Sequence, residues 1–237
     1  MRRITFSEGE YYHVYNRGVD KRTVFTRPAE YTRFLMSLYL FNDEESPDHG
    51  YALSSARSLA EISEAKPRQK GWKPLVAIGA HSLMPNHFHL YMTPLAESGI
   101  SRFMQRLQTA YTMFFNREHE RSGALFQGTF KAQHVTREEH AKYLFSYIHL
   151  NCAALLDKDW KECGVRDLKK MRNHILAYPY SSAAEYAQNK HVVTDPRYFP
   201  KYFRTAKDVD DHIDFWLQSK AAGDFRGLAS EMGSIQQ

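Results

Sequence analysis

Between Glu10 and Arg17 the chain reads EYYHVYNR, with tyrosine and valine alternating with polar residues. That period of two predicts a half-buried strand, which Gly18 ends. Pro28 opens a stretch of a different period. Phe34, Leu35 and Leu38 fall on one face of an amphipathic helix that runs to about Phe41. Residues from about 42 to 73 are polar and charged, and read as a surface insertion with a short helix around Ser58 to Glu64. Leu75 to Leu83 is apolar and β-rich, Met84-Pro85-Asn86 makes a turn, and His87 to Thr93 is a second strand, so the two form a hairpin. Helical periodicity returns from Ser101 to Arg117 through Phe103, Met104, Leu107, Tyr111, Phe114 and Phe115. Leu125 to Val135 reads as a further strand. Thr136 and Glu139 have capping-box spacing ahead of a helix from about Arg137 to Ala153.

The order β-α-β-β-α-β-α predicts an α+β protein. Its first six elements follow the ferredoxin-like order βαββαβ, and the added helix would have to lie beside the sheet. Residues 157–237 read as loops and short helices, including one from Asp208 to Ala222. The expected division is a catalytic domain over 1–156 and a C-terminal extension over 157–237.

Composition narrows the function only slightly. The formal charge of +5 on 237 residues permits nucleic-acid binding without requiring it. No apolar run has the length of a membrane span, and residues 1–20 lack the apolar core of a signal peptide. Cys152 and Cys163 have no CxxC spacing, which argues against a disulfide framework and a thiolate zinc site. The cytoplasm of a bacterium, in association with the nucleoid, is the expected location, with no membrane partner.

Two local patterns carry chemistry. His87 and His89 sit two apart in a predicted strand, so they project from one face while Phe88 and Leu90 project from the other. Two imidazoles so placed can share a divalent ion, although most H-x-H pairs hold none. A catalytic ion also needs a third ligand and open positions. On the last predicted helix, Tyr143, Tyr147 and Asn151 recur every four residues and share a face. A tyrosine is a weak nucleophile at neutral pH unless its target is polarised, which a neighbouring metal can do. A tyrosine stripe packed on a sheet is the plainer reading of the same spacing.

Five blocks in order change that balance. They are Tyr12-His13-Val14-Tyr15-Asn16-Arg17-Gly18, Met84-Pro85-Asn86-His87-Phe88-His89-Leu90, Arg121-Ser122-Gly123-Ala124-Leu125-Phe126-Gln127-Gly128, Tyr147-Ile148-His149-Leu150-Asn151 and Tyr178-Pro179-Tyr180-Ser181-Ser182. Together they resemble the REP-associated tyrosine transposases, within the HUH single-tyrosine (IS200-like) transposases. The resemblance implies a metal-dependent enzyme that cuts and rejoins single-stranded DNA near hairpins through a 5′-phosphotyrosine intermediate. It implies His87 and His89 as metal ligands, Asn151 as a polar third ligand, Tyr147 as nucleophile, and Mg²⁺ or Mn²⁺ as the ion. Tyr111 is the main rival nucleophile, ahead of Tyr143.

Arg102, Arg106, Arg117, Arg121 and Lys131 are the candidate DNA-backbone contacts. The implied partner is single-stranded DNA carrying a REP-like palindromic hairpin, bound by a monomer or a homodimer. The extension after Asp157 would recognise the hairpin or cover the active site. Two departures from the family pattern stand out. Cys152 follows Leu-Asn where the family usually has proline, and Thr129 stands where it commonly has arginine. A non-catalytic single-stranded nucleic-acid-binding module and a metal-dependent hydrolase with a water nucleophile are the competing readings.

Overall fold

The computed structural model describes residues 4–45, 53, 56–65, 67, 72–200 and 205–218. Strand β1 (Tyr11–Arg17) leads to helix α1 (Pro28–Leu40) and the short α2 (Leu59–Ala65). The hairpin follows as β2 (Val76–Met84) and β3 (His87–Pro94). Next come α3 (Gly99–Glu118), β4 (Lys131–Val135) and α4 (Glu138–Leu150). Beyond these are α5 (Ala153–Leu156), α6 (Trp160–Cys163), α7 (Leu168–Ala177), α8 (Ala183–Ala187) and α9 (Ala206–Gln218). The helix expected from Asp208 to Ala222 is described over Ala206–Gln218, and positions 219–222 lie outside the described residues.

The four strands form one antiparallel sheet in the order β2-β3-β1-β4, which is the ferredoxin-like arrangement read from the element order. Alternation along β1 and β3 sorts the side chains onto two faces. Tyr12, Val14, Phe88, Leu90 and Met92 pack with α1 and α3 in one core. Tyr91 packs with α4 and the later helices in a second core on the other face. The helix expected beside the sheet thus lies across it. Trp160, Met171, Ile175, Tyr186 and Ile213 of the C-terminal region share that second core.

Three local expectations are corrected. The strand read over Leu125–Val135 is regular only from Lys131. Phe126 makes a single bridge to Gly18, and Gln127 donates its N–H to Arg17 O at 2.8 Å. Gly128, at φ +69, turns the chain out of the ladder. This loop is held by the end of β1 rather than by strand pairing.

The Thr136 capping box does not form. Arg137 is the N-cap residue of α4 and makes no side-chain cap. Glu138 and Glu139 sit in the first turn, where their charge complements the positive end of the helix dipole, and Glu138 pairs with Lys142 one turn on. The helix also ends earlier than expected, with Asn151 and Cys152 forming a turn before α5.

The segment expected as a surface insertion is tied down at both described ends. The Asn42 side chain is buried, with its amide donating to Val76 O and its oxygen accepting from Val76 N, and Trp72 Nε1 donates to Asn42 O. Ile62 of α2 packs with Met36, Tyr39 and Leu40 of α1. The block at residues 178–182 protects an exposed sheet edge, a common need of open sheets. Leu83 N–H donates to Tyr180 O, Ser182 N–H donates to His81 O, and the Tyr178 hydroxyl donates to Leu83 O.

Candidate active site

Across β1 and β3, Tyr15 lies opposite His89 and Arg17 opposite His87. Facing residues of an antiparallel pair project from the same side. His13, Tyr15, Arg17, His87 and His89 therefore all point toward α4. The His89 ring centroid is 5.1 Å from that of His13, 5.0 Å from that of His87 and 5.9 Å from that of Tyr15. Helix α4 sets the Tyr147 ring 5.4 Å from His89 and 6.4 Å from His13. One turn on, Asn151 Oδ1 stands 3.3 Å from His87 Nε2. Lys161 of α6 places its ammonium 5.4 Å from the centre of the Tyr147 ring.

Burial sets the protonation of this group. It drives the His13 imidazole down to about 3, with His140 adding to the effect. It drives His87 down to about 4, where Asn151 pulls back while Arg17 and Lys161 push further. His89 falls well below the ordinary histidine range, again through burial, with His87, His13 and Lys161 contributing. Burial raises the Tyr147 phenol, Asn151 opposes that, and Tyr15 reinforces it. At neutral pH the centre holds neutral imidazoles and a protonated phenol.

Each neutral imidazole carries one proton, and that count tests the site for a cation. Asn86 Nδ2 donates to Lys21 O, which turns Asn86 Oδ1 toward His87 Nδ1 at 2.6 Å. His87 Nδ1–H therefore donates to Asn86, and the His87 Nε2 lone pair faces the Asn151 oxygen. A cation held between the two atoms, or a turned Asn151 amide, relieves that contact. His89 Nε2 is buried without a hydrogen-bond partner, while His89 Nδ1 is 2.9 Å from His13 Nε2. Two imidazole lone pairs and one amide oxygen suit a divalent ion with open positions. Among the described residues no group of three or more His, Cys, Asp or Glu could hold a metal ion, so an amide is the candidate for a third donor beside the two imidazoles.

The rival tyrosines are placed elsewhere. Tyr111 lies in the core on the other face of the sheet, donates to Val24 O at 2.6 Å, and has a phenol pushed far up by burial. Tyr143 shares α4 but packs edge-on against Trp216, and burial pushes its phenol up too.

Four of the five basic candidates are engaged on α3 and the loop after it, away from the histidine face. Arg102 and Arg106 of α3 donate to backbone carbonyls at Asp43 and Glu44. Arg117 is exposed, 3.8 Å from Glu118, and Arg121 bonds Asn116 and Ala124 O. Lys131 lies opposite Tyr15 in β4 and so shares the histidine face. Arg17, His13 and Lys161 are the neighbours that the sequence did not single out. For Arg17 and His13, the alternation of β1 was the available signal.

The centre thus belongs to a ferredoxin-like α+β protein with a paired-histidine strand under a tyrosine helix. Residues 60–151 match the model of a family described as Transposase IS200 like. That span is similar to these transposases, and it includes His87, His89, Tyr147 and Asn151. A solved structure described as "Structure of the REP associates tyrosine transposase bound to a REP hairpin" aligns with 82% of this chain and 90% of that one, at 12% identity and a TM-score of 0.46. No curated protein matches the chain. Among the described residues, no helix is long and apolar enough to cross a membrane.

Proposed function

We propose that this chain is a metal-dependent single-tyrosine transposase that cuts and rejoins single-stranded DNA beside hairpins through a 5′-phosphotyrosine link. The observation that carries the reading is the seat of the Tyr147 ring against His89, 5.4 Å between centroids, with Asn151 reaching from the same helix to His87. The family match over residues 60–151 supports transposase chemistry, and the five sequence blocks support hairpin DNA as its substrate.

His87 Nε2, His89 Nε2 and Asn151 Oδ1 would hold Mg²⁺ or Mn²⁺. Such an ion, when bound, supplies Lewis-acid polarisation of a phosphate oxygen and offsets the charge that grows in the transition state. Tyr147 Oη attacks the phosphorus in line. Its bond to phosphorus forms as the bond from phosphorus to the 3′ oxygen breaks. The phenol loses its proton and the leaving oxygen gains one, so the products are a 5′-phosphotyrosyl strand and a free 3′-hydroxyl. Attack by another 3′-hydroxyl reverses the step and joins strands, with the diester energy kept in the tyrosyl bond. The neutral state of His87 and His89 keeps their lone pairs available at neutral pH.

The test is a covalent-adduct assay. Single-stranded oligonucleotides from the flanks of the gene are incubated with protein and Mn²⁺ or Mg²⁺, then run on a denaturing protein gel. Wild type should give a slower-migrating band that is absent in Tyr147→Phe and in the His87→Ala, His89→Ala double variant. A band that survives Tyr147→Phe, or cleavage without any band, would reject the tyrosine mechanism.

A further inference from the structure

A cleft of about 960 Å³ lies between α3 and the loop at residues 124–130, a size typical of ligand sites. It belongs to the α3 side of the sheet, opposite the paired histidines. Along α3, Ser101, Gln105, Gln108, Thr109 and Thr112 recur at helical spacing and present one polar wall. Leu125, Phe126 and Phe130 are buried and form an apolar floor. None of the residues lining the cleft carries a charge.

The loop wall is built in place. Asn116 of α3 donates to Gly123 O at 2.9 Å, and Asn16 of β1 donates to Gly128 O at 3.1 Å. At Gly128, φ is +69 and open space stands where a side chain would be. Two groups in the lining lack partners. Gln108 Nε2 is buried without a hydrogen-bond partner, a costly state for an amide. Met113 is 68% exposed, more than any other large hydrophobic residue described.

A ligand that satisfies both has an apolar face and a hydrogen-bonding edge. It is also uncharged where it enters, since an anion would lose its hydration to groups that cannot neutralise it. A nucleobase has this combination, and glutamine reads base edges through its paired donor and acceptor. The cleft also borders the centre. Phe130 lines it, and the next residue, Lys131, lies opposite Tyr15 on the histidine face. Because β4 is an edge of the sheet, a DNA strand rounding it would set phosphate beside Lys131 and bases in the cleft.

We propose that this cleft is a base-binding subsite, taking unstacked bases of the single-stranded DNA that flanks the scissile phosphate, with Gln108 bonded to a base edge. The inference rests on the transposase reading for its ligand, and the experiment separates the two.

Binding of a single-stranded hairpin oligonucleotide from the flank of the gene is measured by fluorescence anisotropy, with EDTA present to prevent cleavage. Each flanking base is replaced in turn by an abasic site. Wild type, Gln108→Leu and Thr109→Trp are compared. Leu keeps most of the bulk without the hydrogen bonds, and Trp at this exposed helix position fills the cleft. At least one abasic site should weaken binding to wild type by about 10-fold. Thr109→Trp should weaken the intact oligonucleotide about as much and be insensitive to that same abasic site. Gln108→Leu should fall between the two. Should Gln108→Leu fail to fold, as judged by circular dichroism, Thr109→Trp decides alone.

Wild-type affinity in both variants overturns the proposal, as does the absence of any sensitive base. A weakening that adds to every abasic effect alike assigns the change to the fold and also overturns it. The covalent-adduct assay on the same oligonucleotides judges the transposase reading. An adduct without base-dependent binding in the cleft overturns this inference alone. Cleft-dependent binding without an adduct overturns the transposase reading and leaves a non-catalytic DNA-binding protein with this subsite.

Discussion

The tautomer of His89 is decided by His13. The two rings share one hydrogen bond, Nε2 to Nδ1 at 2.9 Å, and only one of them can donate. For the His89 Nε2 lone pair to face a cation, Nδ1 must carry the proton and donate to His13. Such outer partners fix the orientation and basicity of metal-binding imidazoles. His13→Phe removes the acceptor and keeps the ring volume, and it should weaken Mn²⁺ binding by about 10-fold or more. His13→Gln retains an acceptor and should lose less. A resonance titration of Mn²⁺ distinguishes them, and equal affinity in wild type and His13→Phe would remove this role. His13 was visible in the sequence as part of an alternating strand, but its partnership was not. The two histidines are 76 positions apart, and only the register of the folded sheet brings them together.

Helix α4 carries both Tyr147 and Asn151, so its seating controls the centre. Its C-terminal half is fastened by His149, whose Nε2 lies 2.7 Å from Ser182 Oγ, with both residues fully buried. The same hydroxyl accepts the N–H of His81 in β2 at 2.9 Å. One serine thus joins the tyrosine helix, the covered sheet edge and the C-terminal region. Ser182→Ala strands a buried imidazole nitrogen and a buried N–H, which should cost about 1–3 kcal/mol. The measurement is the urea midpoint. An unchanged midpoint would mean that packing alone seats the helix.

This junction was not legible in the sequence, and the reason is physical. β1, α1, the hairpin and α3 are long enough for a period of two or 3.6 to register locally. Helices α5, α6 and α8 have four, four and five residues, about one turn each, so no periodicity marks them. Lys161 and Ser182 lie in that stretch. The strand over Leu125–Val135 was read too long for a related reason. Its apolar residues, Leu125, Phe126 and Phe130, fill the core from a loop that the end of β1 holds.

At the scale of the whole molecule, one sheet separates two cores of different chemistry. The core under α1 and α3 is largely apolar and aromatic, whereas the α4 side buries histidines. Burial holds His13 and His149 down to about 3 and His87 down to about 4, against 6.5 in the unfolded chain. As pH falls through 6.5 the unfolded chain takes up protons on these rings and the folded chain does not. The folded state therefore keeps its full advantage above 6.5 and loses it as pH falls toward 3–4. Glu185 adds a second, lower window. Burial pushes its carboxyl up, but the nearby His81 ring and the N–H and hydroxyl of Thr194 outweigh that and hold it at about 2, against 4.5. Its contribution is present above 4.5 and is lost as pH falls through about 2. Both groups tilt stability the same way, at about 1.4 kcal/mol for each unit of displacement. The urea midpoint of the metal-free protein should thus fall steadily between about pH 7 and about pH 4, with no acid maximum. The effect should persist at high salt, because desolvation rather than surface charge drives it. A midpoint that stays level down to about pH 5 would mean that the histidine face opens to water readily, and that the tyrosine helix is less firmly seated than its buried contacts require.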